Sequence, residues 1–170
     1  MNVTIKEATV KNDLFLSYKF DQRVQGTRKN TTESSDAAIH DDLRNAFNVL
    51  IPHFAFICEE IDEETARERI QNPTDVLDEF DPLNNYSVHG FNLGKHQEGV
   101  TILGTKKLKS GDSISFPTPF KKWDDEDYEF MEELTKAMDV LKSEVYEYLE
   151  GKQAPSLQVK AEFPEDEVTM

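Results

Sequence analysis

The chain opens with two short runs in which apolar and polar residues alternate. These runs cover residues 3–10 and 14–20, and Lys11-Asn12-Asp13 separates them. Alternation with a period of two is typical of a half-buried β-strand, and a short polar break between two such runs is typical of a hairpin. The pattern therefore predicts an antiparallel hairpin, whereas the polar segment 23–36 fits either an extension of the second strand or a loop.

A helical spacing follows the hairpin. Leucine, phenylalanine and isoleucine recur at alternating intervals of four and three residues across segment 43–61. This spacing places the apolar side chains on one face of a helix. Asp41 and Asp42 suit the positive end of the helix dipole, and Pro52 should kink or divide the helix. Residues 62–82 are interpreted as a short acidic helix followed by a loop.

Three further strand patterns and one long helix complete the chain. The strands are predicted at residues 86–93, 99–108 and 113–120, and their alternation is typical of antiparallel strands with one buried face. Four consecutive acids at 124–127 predict the start of the longest helix, because carboxylates stabilise a helix N-terminus. Gly151 is the expected end of that helix.

Together these elements predict an α+β fold of order ββ-α-βββ-α. Its sheet would be antiparallel, with about five strands and two amphipathic helices on one face. The chain has 170 residues, a length that suits one domain, and we assign this domain to residues 1–151. Residues 152–170 lack apolar periodicity and are predicted to form a flexible, disordered acidic tail.

Charge is distributed unevenly along the chain. The net charge is −15, yet segments 1–32 and 86–122 carry more basic than acidic groups. Segment 33–85 holds fourteen acids against three arginines, and segment 123–151 holds eleven acids against two lysines. The predicted strands are therefore basic and the predicted helices acidic, which would give the molecule faces of opposite potential.

The sequence shows no signature of catalysis or of a metal centre. A single cysteine, Cys58, excludes an intramolecular disulfide and a multi-cysteine zinc site, and the adjacent acids disfavour its thiolate. The histidine and aspartates of segment 36–42 match no standard ligand spacing. Nucleophile motifs, phosphate-binding loops and dinucleotide fingerprints are missing. We therefore predict a protein that is not an enzyme and uses no metal or cofactor.

The sequence also contains no membrane signal. No apolar run approaches the roughly 18 residues that a membrane-spanning helix needs. Lys6, Glu7 and Lys11 interrupt the N-terminal segment, which excludes an apolar signal sequence. We therefore predict an intracellular protein that does not associate with a membrane.

Basic and aromatic residues occur together in the predicted hairpins. Single-stranded nucleic acid needs positive charge for its phosphates and exposed rings for base stacking. The alternative is that the rings belong to the core and the lysines only protect sheet edges. The predicted phosphate contacts are Lys19, Arg23, Lys106, Lys107, Lys109, Lys121 and Lys122, and the predicted stacking residues are Tyr18 and Trp123.

The acidic tail is a candidate partner-binding segment. Its candidate contact residues are Phe163, Glu165, Asp166 and Glu167. The tail resembles the acidic tails of bacterial and phage single-stranded-DNA-binding proteins, although Phe163 lies seven residues before the end rather than at the tip. Such a tail would compete with nucleic acid for a basic groove or recruit a replication protein.

Two stretches of the sequence carry a resemblance to a known group. They are Ile39-His40-Asp41-Asp42-Leu43-Arg44-Asn45-Ala46-Phe47, and Glu98-Gly99-Val100-Thr101-Ile102-Leu103-Gly104 with the following Lys107-Leu108-Lys109 and Thr118-Pro119-Phe120. They resemble small uncharacterised proteins from phages and prophages of gut Bacteroidota, over most of residues 1–151. That group has no assigned activity, so the resemblance transfers no site residues. It implies a phage protein in the cytoplasm of a bacterial host, acting in DNA replication, recombination or counter-defence.

Three functional hypotheses follow. The leading one is a phage DNA-metabolism accessory that binds single-stranded DNA on a basic, aromatic-bearing sheet, with a host or phage replication protein as a second partner. The second is an inhibitor or DNA mimic that presents its acidic helices to a host defence or nucleic-acid-processing protein. The third is a structural or assembly protein that acts through homo-oligomerisation.

Overall fold

An antiparallel sheet forms one layer of the fold. The computed structural model describes residues 3–12, 14–73 and 80–153, and within these ranges the sheet has seven strands. The strands are β1 (Val3–Lys11), β2 (Phe15–Val24), β3 (Thr27–Ala38), β4 (Tyr86–Asn92), β5 (Gly99–Lys107), β6 (Ser113–Pro117) and β7 (Lys121–Lys122). Their order across the sheet is β3-β2-β1-β4-β5-β6, and β7 pairs with the other end of β5. All the pairings are antiparallel, as the sequence predicts.

The predicted N-terminal hairpin is confirmed, and β3 adds a third strand to it. Segment 23–36 is neither a simple extension of β2 nor a loop, because the chain turns at Gln25-Gly26 and pairs back along β2. Both turn residues have positive φ, 53° for Gln25 and 78° for Gly26, as a tight hairpin turn requires. Most side chains of β3 are exposed. Apolar alternation therefore gave no signal for this strand.

The described residues contain four α-helices, because the first predicted helix is divided in two and the short acidic helix predicted within residues 62–82 is present. They are α1 (Asp41–Asn48), α2 (Ile51–Ile57), α3 (Glu63–Gln71) and α4 (Met131–Leu149), and a short 3₁₀-helix spans Pro82–Asn85. The predicted division of the first helical segment is confirmed. Pro52 lies in the first turn of α2, where the missing backbone N–H leaves no helical hydrogen bond unmade.

The last helix begins later than its acidic signal predicts. The segment 124–127 forms turns, in which the Asp125 carboxylate accepts a hydrogen bond from the backbone N–H of Asp127 at 2.8 Å. Short acidic side chains compete with a helix by bonding to the nearby backbone in this way. The helix starts at Met131, after Phe130 has entered the core.

The core lies between the helices and one face of the sheet. Ile5, Leu16 and Phe91 on this face are less than 2% exposed. Helix α2 comes close to the sheet at Gly104, where an added Cβ would lie 2.5 Å from the ring of Phe54. A larger residue at this position would therefore push α2 away from β5.

The folded domain extends beyond the predicted boundary at residue 151. The Lys152 ammonium lies 2.8 Å from Asp42, 3.0 Å from Glu144 and 3.2 Å from Glu147. Gln153 forms a β-bridge with the residue that follows β3. These two residues therefore belong to the domain. The candidate tail contacts lie outside the described residues: Phe163, Glu165, Asp166 and Glu167.

Candidate nucleic-acid interface

The sheet face opposite the helices is polar. Its middle is lined by hydroxyl side chains, among them Thr9, Ser17, Thr32, Ser34, Thr101, Thr105 and Ser115. The Oγ atoms of Ser17 and Ser34 are 3.3 Å apart. Lys19 also lies on this face, 3.7 Å from the Glu7 carboxylate. The face therefore provides hydrogen-bonding groups rather than the row of rings that base stacking along a sheet needs.

Tyr18 lies on the helix-covered side of β2. Its ring centroid is 5.8 Å from that of Phe20, and its hydroxyl donates to a Glu33 oxygen at 2.8 Å. Burial and this hydrogen bond raise the pKa of Tyr18 to about 12. The ring that the sequence suggested for stacking packs against the core instead.

The predicted phosphate contacts, Lys19 apart, fall into two groups at opposite ends of the sheet. The strand register places the β2–β3 turn at the same end as β7, and the last residues of β5 at the other. The first group consists of Arg23, Lys121 and Lys122. The second group consists of Lys106, Lys107 and Lys109. We call the end of the sheet where this group lies the opposite end. The sheet therefore does not bring the predicted cations together in one groove.

Two of these lysines are paired with carboxylates. The Lys106 ammonium lies 3.0 Å from Glu60 and 5.9 Å from the centroid of the Tyr86 ring. The hydrogen bond to Glu60 raises the pKa of Lys106. Lys121 lies 3.9 Å from Asp125. Phosphate binding by either lysine would have to displace a carboxylate.

A further cation, which the sequence reasoning missed, joins the first group. Lys95 lies in the loop 93–98 between β4 and β5. The sequence shows only that Lys95 lies between two predicted strands, because the strand order that brings its loop to the same end as Arg23 is a property of the fold. Arg23, Lys95 and Lys122 are exposed and form no salt bridge with another described residue.

An ion-pair network attaches this loop to the first hairpin. The Lys6 ammonium lies 2.7 Å from Asp21 and donates to the carbonyl of Lys95 at 2.5 Å. Arg28 donates to Asp21 at 2.6 Å and to the same carbonyl at 3.4 Å. Asp21 is only 8% exposed, and Lys6 and Arg28 hold its pKa below the ordinary value. The network therefore fixes the loop of Lys95 beside the hairpin that carries Arg23.

The short strand β7 is attached to the same loop. Gly99 allows the close pairing, because a Cβ there would lie 2.2 Å from the carbonyl oxygen of Lys121. The backbone N–H of Trp123 donates to the carbonyl of Glu98 at 3.1 Å. Its indole N–H donates to the carbonyl of Gln97 at 2.8 Å. Trp123, a predicted stacking residue, is half-buried and holds β7 against the loop.

Phe120 supplies an exposed ring beside these cations. It is 39% exposed and lies against the loop, since a Cβ on Gly94 would be 3.1 Å from the tip of its ring. Lys95 follows Gly94 in the chain, and Lys122 is two residues beyond Phe120. We call Arg23, Lys95, Lys122 and Phe120 together the basic end.

The helical layer has the opposite electrostatic character. On α3 and in the segment before α4, Arg67 lies 3.2 Å from Glu63 and 2.8 Å from Glu129. The nearby Glu129 raises the pKa of Glu63. Negative charge in this region therefore exceeds the cations that balance it.

Two titratable side chains of the helical layer, His53 and Cys58, have pKa values shifted mainly by burial. His53 is 1% exposed, its Nδ1 lies 2.6 Å from the Tyr128 hydroxyl, and burial lowers its pKa to about 3. Burial and the nearby Glu60 raise the pKa of Cys58. Within the described ranges, no three histidine, cysteine or acidic residues are grouped to hold a metal ion. In the same ranges, no helix has the length and apolarity that crossing a membrane requires.

Comparisons of the chain with protein-family models, with curated proteins and with solved structures found no match in any of the three. Function is therefore inferred from the residues of this chain, and chiefly from those of the basic end.

Proposed function

We propose that this protein binds single-stranded DNA at the basic end of its sheet. The observation that carries the proposal is that the fold brings three exposed cations from three distant segments, none in a salt bridge with another described residue, to the same end of the sheet as the exposed ring of Phe120. Proteins that bind single strands without reading their sequence combine cations for the phosphates with aromatic rings for the bases. The basic end offers both.

The cations are spaced to follow a strand of nucleic acid. Arg23 lies at the end of β2, and four strand intervals separate β2 from β7, which carries Lys122. Neighbouring strands lie roughly 4.8 Å apart, so these intervals span about 19 Å. The loop with Lys95 lies between them. A single strand crossing this end would therefore meet Arg23, Lys95 and Lys122 in turn, with Phe120 available to one of its bases.

The net charge of −15 does not prevent contact at this end. Most of the carboxylates lie in the segments 40–73 and 123–153, and among these only Asp124, Asp125, Glu126 and Asp127 follow Lys122 directly in the chain. The Debye length is about 8 Å at physiological ionic strength, so distant carboxylates are largely screened while close contacts act fully. A bulkier duplex would approach the acidic surface more closely, and we expect it to bind more weakly than a single strand.

The resemblance to phage and prophage proteins suggests a setting for this activity. We propose that the protein is a non-enzymatic accessory of phage DNA metabolism in the cytoplasm of a bacterial host. In that setting the acidic segment with Phe163 would tune DNA binding or recruit a replication protein.

The proposal is tested by fluorescence anisotropy of a labelled oligothymidylate titrated with the full-length protein at several salt concentrations. Each phosphate contact on a single strand contributes a slope of about −0.7 to log K against log salt, so three contacts predict about −2. We expect binding at low salt with a slope near this value. Absence of binding at low salt, or binding that salt does not weaken, would overturn the proposal.

A second candidate function is favoured by the crowding of Glu63 and Glu129 around Arg67. An acidic surface of this kind would suit an inhibitor or DNA mimic that binds a basic nucleic-acid-processing protein of the host. This function predicts no affinity for DNA at low salt and a complex with such a protein. Substitution of the exposed Glu64 and Glu68 by lysine would then abolish the complex.

A further inference from the structure

The two lateral edges of the sheet differ in how they are protected. On one side, β6 has five residues and β7 has two, and Thr118-Pro119-Phe120 separates them. Short edge strands and prolines are common devices against unwanted strand pairing. On the other side, β3 runs for twelve residues and contains neither proline nor glycine. Its side chains are exposed or half-exposed from Thr27 to Ala37.

Charge along β3 is arranged so that the strand complements itself. Its first part carries Arg28 and Lys29, and its second part carries Glu33 and Asp36. Parallel pairing of two such strands would place like charges side by side. Antiparallel pairing places the basic part of each strand opposite the acidic part of the other.

The geometry of β3 selects one register. Its pairing with β2 is regular from Thr27 to Ser34 and shifts between Ser34 and Ala38, so the regular stretch is the part suited to a new partner. A two-fold axis through Thr31 places Lys29 opposite the second copy's Glu33, and the symmetry repeats this pair. Arg28 needs no new partner, because it already bonds to Asp21.

We infer that β3 is a self-association edge, through which two copies of this chain pair antiparallel about Thr31. Backbone N–H and C=O groups of each β3 would then find partners, as in other cases of strand addition, and the interface would be the same patch on both copies. One sheet would run through the dimer. This inference does not depend on DNA binding.

The test is a charge swap measured by analytical ultracentrifugation of the full-length protein without DNA. We expect a concentration-dependent dimer for the unmodified protein. Lys29→Glu or Glu33→Lys should raise the dimer dissociation constant at least about tenfold, because each changes two symmetry-related cross-strand pairs from attractive to repulsive. The double variant K29E/E33K should restore the unmodified value.

Matched controls separate this edge from general effects of charge. Lys107→Glu changes the net charge as Lys29→Glu does, but lies on β5, and should leave the dimer intact. Glu33→Lys also removes the hydrogen bond from Tyr18, so circular dichroism should confirm the fold of each variant. A monomer at every concentration, a dimer that the single substitutions do not weaken, or a double variant that fails to recover while remaining folded would each overturn the inference.

Discussion

The two ends of the sheet both display lysines, but they hold them differently. At the basic end, Arg23, Lys95 and Lys122 come from three distant segments and none is paired with a described carboxylate. At the opposite end the three lysines come from a single segment, 106–109, and Lys106 is paired with Glu60. The proposed function therefore rests on cations that the fold brings to one end rather than on lysines that are adjacent in sequence.

The largest effect is expected from breaking the network beneath the basic end. Asp21→Asn removes the carboxylate that compensates Lys6, which is only 8% exposed. Removing one partner of a buried pair costs about 3 kcal/mol, because the other charge remains buried without compensation. We expect urea denaturation to show a loss of this size.

The matched substitution at the opposite end is Glu60→Gln. The side chains of Glu60 and Lys106 are 27% and 30% exposed, so the pair is partly solvated. We expect a loss of at most about 1 kcal/mol. Equal losses for Asp21→Asn and Glu60→Gln would show that the two ends are stabilised alike.

The same network should give the protein a specific pH dependence. The pKa of Asp21 is lower in the folded than in the unfolded chain, so its stabilising contribution is present at neutral pH. This contribution is lost as the pH falls below the ordinary aspartate value of about 4. Urea denaturation across this range should show a smaller acid-induced loss for Asp21→Asn than for the unmodified protein. Identical pH profiles would contradict the role given to Asp21.

A smaller effect is expected from removing the ring at the basic end. Phe120→Ala should weaken binding of oligothymidylate about tenfold, since stacking on an aromatic side chain contributes roughly 1–3 kcal/mol per base. Ile114→Ala is the matched control, because Ile114 is an exposed apolar residue of β6 near the opposite end. Its affinity should match that of the unmodified protein in anisotropy titrations. Equal affinities for the two variants would exclude stacking on Phe120.

The smallest effect is expected at Lys106. Its ammonium already bonds to Glu60, so it offers little charge to a phosphate. Lys106→Met should change the affinity for oligothymidylate by less than about twofold. The corresponding change in binding free energy is well under the roughly 1.4 kcal/mol that a tenfold change represents. A tenfold loss in the same titration would place the DNA at the opposite end.

The elements that contribute side chains to the core were predicted well from the sequence. The hairpin and the strands β4 and β5 follow from apolar periodicity, because burial on one face selects it, and the division of the first helix follows from the backbone of Pro52. The strand β6 was also predicted from alternation, although its side chains are mostly exposed. The strand β3 could not be found in this way. Its residues gain little from burial and form a strand because β2 offers a partner through the turn at Gln25-Gly26.

The candidate site was less predictable, for reasons that differ between residues. Tyr18 shares its side of β2 with Leu16 and Phe20, so alternation already favoured the core for its ring. Lys95 and Trp123 are different. Their positions depend on contacts of the loop 93–98 with Lys6 and with β7, which no local pattern records.

The most direct test of the account compares charge reversal at the two ends. The first double variant combines Lys95→Glu with Lys122→Glu, and the second combines Lys107→Glu with Lys109→Glu. Both variants change the net charge by the same amount, and all four side chains are exposed. In anisotropy titrations of oligothymidylate, the first pair should weaken binding more than about tenfold and reduce the salt slope by about 1.4, since two phosphate contacts are lost. The second pair should leave both quantities close to those of the unmodified protein. Equal weakening by the two pairs, or none by the first, would contradict the assignment of DNA binding to the basic end.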